Sequence, residues 1–86
     1  MMDLTAGMVV RSKAGRDKDR FFVVLKVQGD KAFVADGKKR ELLNPKAKNE
    51  KHLQKTNTVI ELNEIDTDKK LRHVLHGFNY PNSPKA

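Results

Sequence analysis

The sequence predicts a mainly β fold: a small, strongly bent antiparallel barrel of five strands followed by a short C-terminal α-helix. Three observations carry that prediction. Apolar residues recur in short runs with a period of two. Glycine- and aspartate-containing turn signals separate those runs. Beyond residue 66 the apolar spacing lengthens to that of a helix. Bending five strands into a barrel protects edges that a flat sheet would expose. With 86 residues the chain has room for one small domain, but none for an enclosed substrate cavity with a lid.

The elements follow in chain order. "MVVRS", residues 8–12, is the first strand. Residues 20–27 form the second: Phe21, Val23, Leu25 and Val27 point one way, and Phe22, Val24 and Lys26 the other. Both faces begin apolar and one turns polar, which suits a strand that is central at one end and exposed at the other. Gly29 and Asp30 then supply hairpin chemistry, and "KAFVAD", residues 31–36, is the third strand. Asp36-Gly37 is a second hairpin signal, predicting a fourth strand over 40–43 that Pro45 ends, having no amide hydrogen to donate. Residues 44–57 read as a polar, basic connection in which His52-Leu53 forms one helical turn with Leu53 tucked into the core; "TVIEL", residues 58–62, is the fifth strand. Asp66 or Thr67 can cap a helix with Asp68 in its first turn and Leu71, Val74, Leu75 and Phe78 along one stripe. Gly77 is placed as its terminator, so the domain is expected over 1–76, and 77–86, with two prolines, as a mobile tail. The expected core is Val9, Phe21, Val23, Leu25, Val27, Phe33, Val34, Leu42, Leu43, Val59 and Ile60, with the helix capping one open end of the barrel.

Charge is the dominant global feature, at +7 overall with a pI near 9.9. Segment 11–20 holds five basic and two acidic residues, and segment 38–55 seven and two, while the rest of the chain is close to neutral. Excess charge confined to two segments is what a polyanion-binding surface needs. The absence of cysteine excludes disulfides, thiolate metal sites and a cysteine nucleophile. No apolar run approaches the length of a membrane span, and no apolar signal core stands at the start, so a cytoplasmic location is expected.

Other chemistries find little footing. Ser12 and Ser83 are the only serines, no phosphate-binding or dinucleotide glycine pattern occurs, and the carboxylates show no paired burial, so no catalysis is expected. His73 and His76 sit three apart on the helix without a third ligand at matching spacing, so no metal or cofactor is expected; His52 packs or meets a phosphate. Phe21 and Phe33 fall where core is expected, while Phe22 is ambiguous. One tyrosine and no tryptophan leave too few aromatics for a methyl-lysine cage.

The run "GMVVRSKAGRDKDRFFVVLKVQGDKAFVADGKKR" resembles a KOW motif: a strand, a glycine-containing charged loop, and a second strand with alternating apolar residues. Together with "NPKAKNEKHLQKTN", it makes residues 4–75 similar to small bacterial KOW-domain RNA-binding proteins, related to the archaeal and eukaryotic large-subunit ribosomal proteins of the fourteen-E group. The resemblance implies an SH3-like barrel, ribosomal or other RNA as the partner, and no catalysis. One position departs from it: a glycine commonly stands where this chain has Asp19, four residues after Gly15. Asp19 is expected to keep the fold and trim affinity.

On this reading the RNA-binding residues are Arg11, Lys13, Gly15, Arg16, Lys18 and Arg20 in the first basic segment, joined by Lys38, Lys39, Arg40, Lys46, Lys48 and Lys51 in the second. Arginine forks hold phosphates bidentately and lysines act as point charges, while Gly15 lets the loop approach a backbone closely. Asp17 and Asp19 are expected to pair with neighbouring cations and cap the turn. A monomer is expected. A protein–protein adaptor of the translation or transcription machinery, using the same loops, is the alternative, and a nucleic-acid chaperone without a fixed target is a third reading.

Overall fold

A computed structural model describes residues 4–80. The alternating runs pair into one antiparallel sheet of five strands: β1 (Met8–Ser12), β2 (Phe21–Gln28), β3 (Lys31–Ala35), β4 (Lys46–Asn49) and β5 (Leu53–Val59). Their spatial order is β4-β3-β2-β1-β5. A 3-10 turn at Glu50–His52 joins β4 to β5, and a second at Leu62–Glu64 precedes the helix α1 (Asp68–Asn79). The architecture is mainly β and consistent with an SH3-like barrel, although the sheet is not closed: among the described residues no ladder joins β4 to β5. No helix among the described residues is long and apolar enough to cross a membrane.

The central strands bury side chains on both faces. On one, Val10, Phe22, Val24, Ala32, Val34 and Leu53 form a core with Leu4. On the other, the register aligns Val9 with Val23 and Val23 with Ala35 across three strands. Leu71 and Leu75 of α1 and Ile65 cover that row. The helix therefore lies against the outward face of β1–β2–β3 instead of capping an open end. Thr67 caps it by accepting from the Lys70 amide at 3.2 Å, with Asp68 in the first turn, as its sequence position predicts.

Several boundaries differ from the sequence reading, each for a physical reason. Residues 40–43 form no strand. Asp36 accepts the Lys38 and Arg40 amides at 2.9 Å each, and the chain bends around this carboxylate instead of returning as a hairpin. Leu43 consequently stands at the apex of a turn, 98% exposed. Pro45 precedes β4 rather than ending it, an edge position where a missing amide hydrogen is tolerated. The stretch 44–57 is not a plain connection, because it holds β4, the 3-10 turn and most of β5. β5 occupies 53–59 instead of 58–62; Leu53 starts it fully buried, and Thr56 Oγ1 donates to the Val9 carbonyl at 2.7 Å.

The helix also runs through Gly77 to Asn79, so the expected domain limit at residue 76 falls inside it. Tertiary contacts carry it past the glycine: Phe78 packs on Phe21 with ring centroids 5.3 Å apart, and Asn79 Oδ1 accepts the Phe21 amide at 2.8 Å. The remainder of the expected tail, residues 81–86, lies outside the described residues. In the core, Phe22 is fully buried on one face of β2, and Phe21, as expected, packs against the helix-side core on the other. Phe33 is half-buried with Lys26 Nζ 4.9 Å from its ring centre, and Val27 and Val59 are exposed.

The bend after β3 should be sensitive to a single methyl group. Gly37 has φ +79°, and a Cβ there would collide with the Asp68 carbonyl oxygen and crowd Arg72. Gly15 has φ +80° with nothing near the same position. Gly37→Ala should therefore destabilise the fold by about 2–4 kcal/mol, through both left-handed strain and overpacking. Gly15→Ala should cost only about 1 kcal/mol. Urea denaturation midpoints of the two variants check this ordering.

Candidate nucleic-acid interface

The two basic segments meet in space. Segment 13–20 leaves β1 and returns into β2 through a tight set of backbone bonds: the Asp19 amide donates to the Ser12 carbonyl at 2.8 Å, and the Ser12 amide to the Arg20 carbonyl at 2.9 Å. Closing the loop this tightly requires φ +72° at Asp19, the one non-glycine residue with positive φ among the described residues. This is the position where the resemblance would have a glycine, and the geometry explains why glycine suits it. The Lys13 amide donates to the His52 carbonyl at 2.8 Å, which ties this loop to the 3-10 turn carrying Lys51. On its other side the loop borders a small cleft of about 350 Å³ lined by Arg16, Asp17, Lys39, Arg40 and Lys46.

The structure divides the twelve expected contact residues into two groups. Lys13, Gly15, Arg16, Lys18, Lys38, Lys39 and Lys51 are exposed, and Arg40 is half-buried at the cleft. None of the cations in this group makes an ion pair among the described residues. The other four are committed internally. Arg11 holds Asp19 at 2.9 Å and also donates to Gln54. Arg20 bonds the buried Asp36 at 3.1 Å and reaches the Tyr80 hydroxyl at 3.4 Å. Lys46 pairs with Asp17 at 3.1 Å. Lys48 is buried on β4 and donates to Ser12 Oγ at 3.0 Å, supporting the loop from beneath. Lys48 therefore shapes the loop and is not displayed on its surface.

These contacts have electrostatic signatures. Burial pushes the Lys48 ammonium pKa down, Lys46 and Arg40 push the same way, and Asp17 partly offsets them. For Asp17, burial acts to raise the carboxyl pKa, but the Lys46 hydrogen bond and the charges of Lys46, Lys48 and Arg40 together hold it below the usual carboxylate value. The expected pairing of both loop aspartates with nearby cations is present. Its effect is to quench the acidic charge within the loop and leave the outward face positive.

The remaining candidates lie away from this cleft. His52 is exposed and contributes its carbonyl; His73 is exposed, and His76 half-buried, on α1. Among the described residues no three His, Asp or Glu side chains gather in a group that could hold a metal ion. Tyr80, which the sequence reading left in the tail, instead stands at the helix end beside Arg20. Its proline-rich context gave no signal for that position. No protein-family model matches the chain, and no curated protein matches it.

Two substitutions separate strain from charge at Asp19. Asp19→Gly relieves the left-handed strain and loses an ion pair between side chains 39% and 64% exposed, which contributes under ~1 kcal/mol. Stability should stay within about 1 kcal/mol of the parent, whereas Asp19→Ala loses the pair and keeps the strain, costing about 1–2 kcal/mol in thermal or urea unfolding. Asp17 gives a pH test. Its folded-state pKa is depressed, so its contribution is fully present above the unfolded carboxylate value and is lost as pH falls through the folded one. Asp17→Asn should flatten the fall in stability below about pH 4, read from denaturation midpoints across pH.

Proposed function

We propose that the protein is a KOW-type RNA-binding module that holds folded RNA, ribosomal RNA in particular, through its phosphate backbone, working as a cytoplasmic monomer without catalysis or cofactor. One observation carries this reading: the cleft where Arg16 of one basic segment stands with Lys39 and Arg40 of the other around the Asp17–Lys46 pair. The pairing of the buried Asp17 with Lys46 supports it, because an acid offset by a cation and shielded within the fold repels an approaching phosphate less. Gly15 supports it as well, since its exposed position beside Arg16 offers an RNA strand unobstructed backbone.

Lys13, Arg16, Lys18, Lys38, Lys39, Arg40 and Lys51 are the contact residues of this reading; Arg11, Arg20, Lys46 and Lys48 set the shape on which they stand. Lysines and arginines on phosphates give affinity with little base discrimination, and folded RNA is then recognised by shape and by its 2′-hydroxyl groups. Most of these cations sit on the loops between strands, on the outer side of the sheet's connections.

The test is a salt titration of RNA affinity. If about five phosphates are neutralised, log affinity should fall against log salt with a slope of roughly −3.5 to −4.5. A much shallower slope would count against an electrostatic footprint, and a complex that resists high salt would point to a protein partner. Equal affinity for RNA and DNA would favour a general chaperone. Arg16→Glu combined with Lys18→Glu should abolish binding while leaving the unfolding midpoint nearly unchanged. Unaltered affinity in that variant would remove the loop from the interface.

A further inference from the structure

We propose that Tyr80 is a stacking platform for an unpaired base of the bound RNA, so that the protein prefers RNA with a loop or bulge over continuous duplex. This rests on the RNA-binding reading above and adds a subsite to it. Tyr80 caps the C-terminal end of α1, its amide donating to the His76 carbonyl at 2.8 Å. It is 39% exposed, a large aromatic side chain left open at the surface. The His76 ring supports it, with centroids 5.3 Å apart and planes tilted by 39°.

The surroundings of the ring are those a nucleotide would need. The Tyr80 hydroxyl lies 3.4 Å from Arg20 Nη1, at the point where the basic loop enters β2. Lys38, exposed at the bend after β3, borders the same groove along α1, and so does Arg72. The Arg20 hydrogen bond, followed by the charge of Lys38, moves the phenol pKa below its ordinary value, consistent with a locally positive field. Two acids line the groove: Asp36 is 2% exposed and turned inward onto Arg20 and two backbone amides, while Glu64 is exposed on the 3-10 turn before α1 and is outnumbered by the groove's cations. A base on the Tyr80 ring would thus have its phosphates near Lys38, which the chain places directly before Lys39 and Arg40 of the first cleft. Bases stack on exposed aromatics with little regard to sequence, because every base has a π face, and a base held in a duplex cannot reach the ring.

The chain offers a direct readout, since Tyr80 is its single tyrosine and it has no tryptophan. Intrinsic emission therefore reports on this one ring. Titrating the full chain with a hairpin RNA bearing an unpaired uridine loop should quench that emission after inner-filter correction. A blunt duplex of the same length should bind more weakly and leave the emission unchanged. Tyr80→Ala should weaken hairpin binding by about 5- to 20-fold, bringing it near the duplex value. Tyr80→Phe should stay within about 2-fold of the parent, because it keeps the ring and loses only the hydroxyl. The phenylalanine variant also guards against misreading a frayed helix end, which thermal melts of both variants register. If hairpin and duplex bind equally well and the emission does not move, the stacking subsite is wrong and the phosphate-binding reading stands. Equal losses in the alanine and phenylalanine variants would overturn stacking in favour of a hydroxyl role. If neither RNA binds at all, the RNA-binding reading itself falls, and the subsite with it.

Discussion

A carboxylate at the end of β3 connects most of what surrounds it. Asp36 is almost fully buried, and its oxygens accept the amides of Lys38 and Arg40 and the guanidinium of Arg20. Those three bonds bend the chain after β3 and fasten that bend to the start of β2. Arg72 extends the connection to the helix by donating to the Gly37 carbonyl at 2.7 Å. This acid helps hold the two basic segments together, alongside the Lys46–Asp17 and Lys48–Ser12 bonds. Removing it would strand Arg20 and two amides in a poorly solvated bend, the kind of loss that costs about 3–5 kcal/mol where a buried ion pair is broken.

The second principle of the molecule is how it spends its charge. A net +7 suggests a surface of interchangeable cations, but the fold assigns them different work. Arg11, Arg20, Lys46 and Lys48 fix the loop from within, each against a carboxylate or a polar atom of another element. The exposed remainder can then keep its spacing without having to pair. Lys48 is the clearest case, since an ammonium buried against Ser12 supports the floor of a loop whose upper side is positive.

Much of the fold was legible in the sequence, for reasons that can be named. β1, β2 and β3 declare themselves because their apolar residues alternate and their turns carry glycine. The helix declares itself by Thr67 and the Leu71, Val74, Leu75 spacing. β4 does not, because "KAKN" has no apolar alternation; pairing with β3 makes it a strand. β5 is obscured in the same way, since five polar residues separate Leu53 from Val59. Phe22 could not be ranked above Phe21 without knowing that both faces of β2 are covered. The charged segments of the candidate site were visible as composition, but not the internal use of four of their cations. Their partners lie 8 to 60 residues away, so the folded chain and not the local sequence brings them together.

The unclosed sheet has a consequence for crowding. Among the described residues, the outer edges of β4 and β5 have no strand partner, a geometry that invites a second chain to add on. β4 offers that visitor a proline immediately before the strand and lysines within it, and β5 a row of glutamine, lysine, threonine and asparagine. Edge charge and proline discourage strand-to-strand growth. The open seam is thereby guarded against self-propagating assembly. A net charge of +7 adds long-range repulsion between copies of the chain.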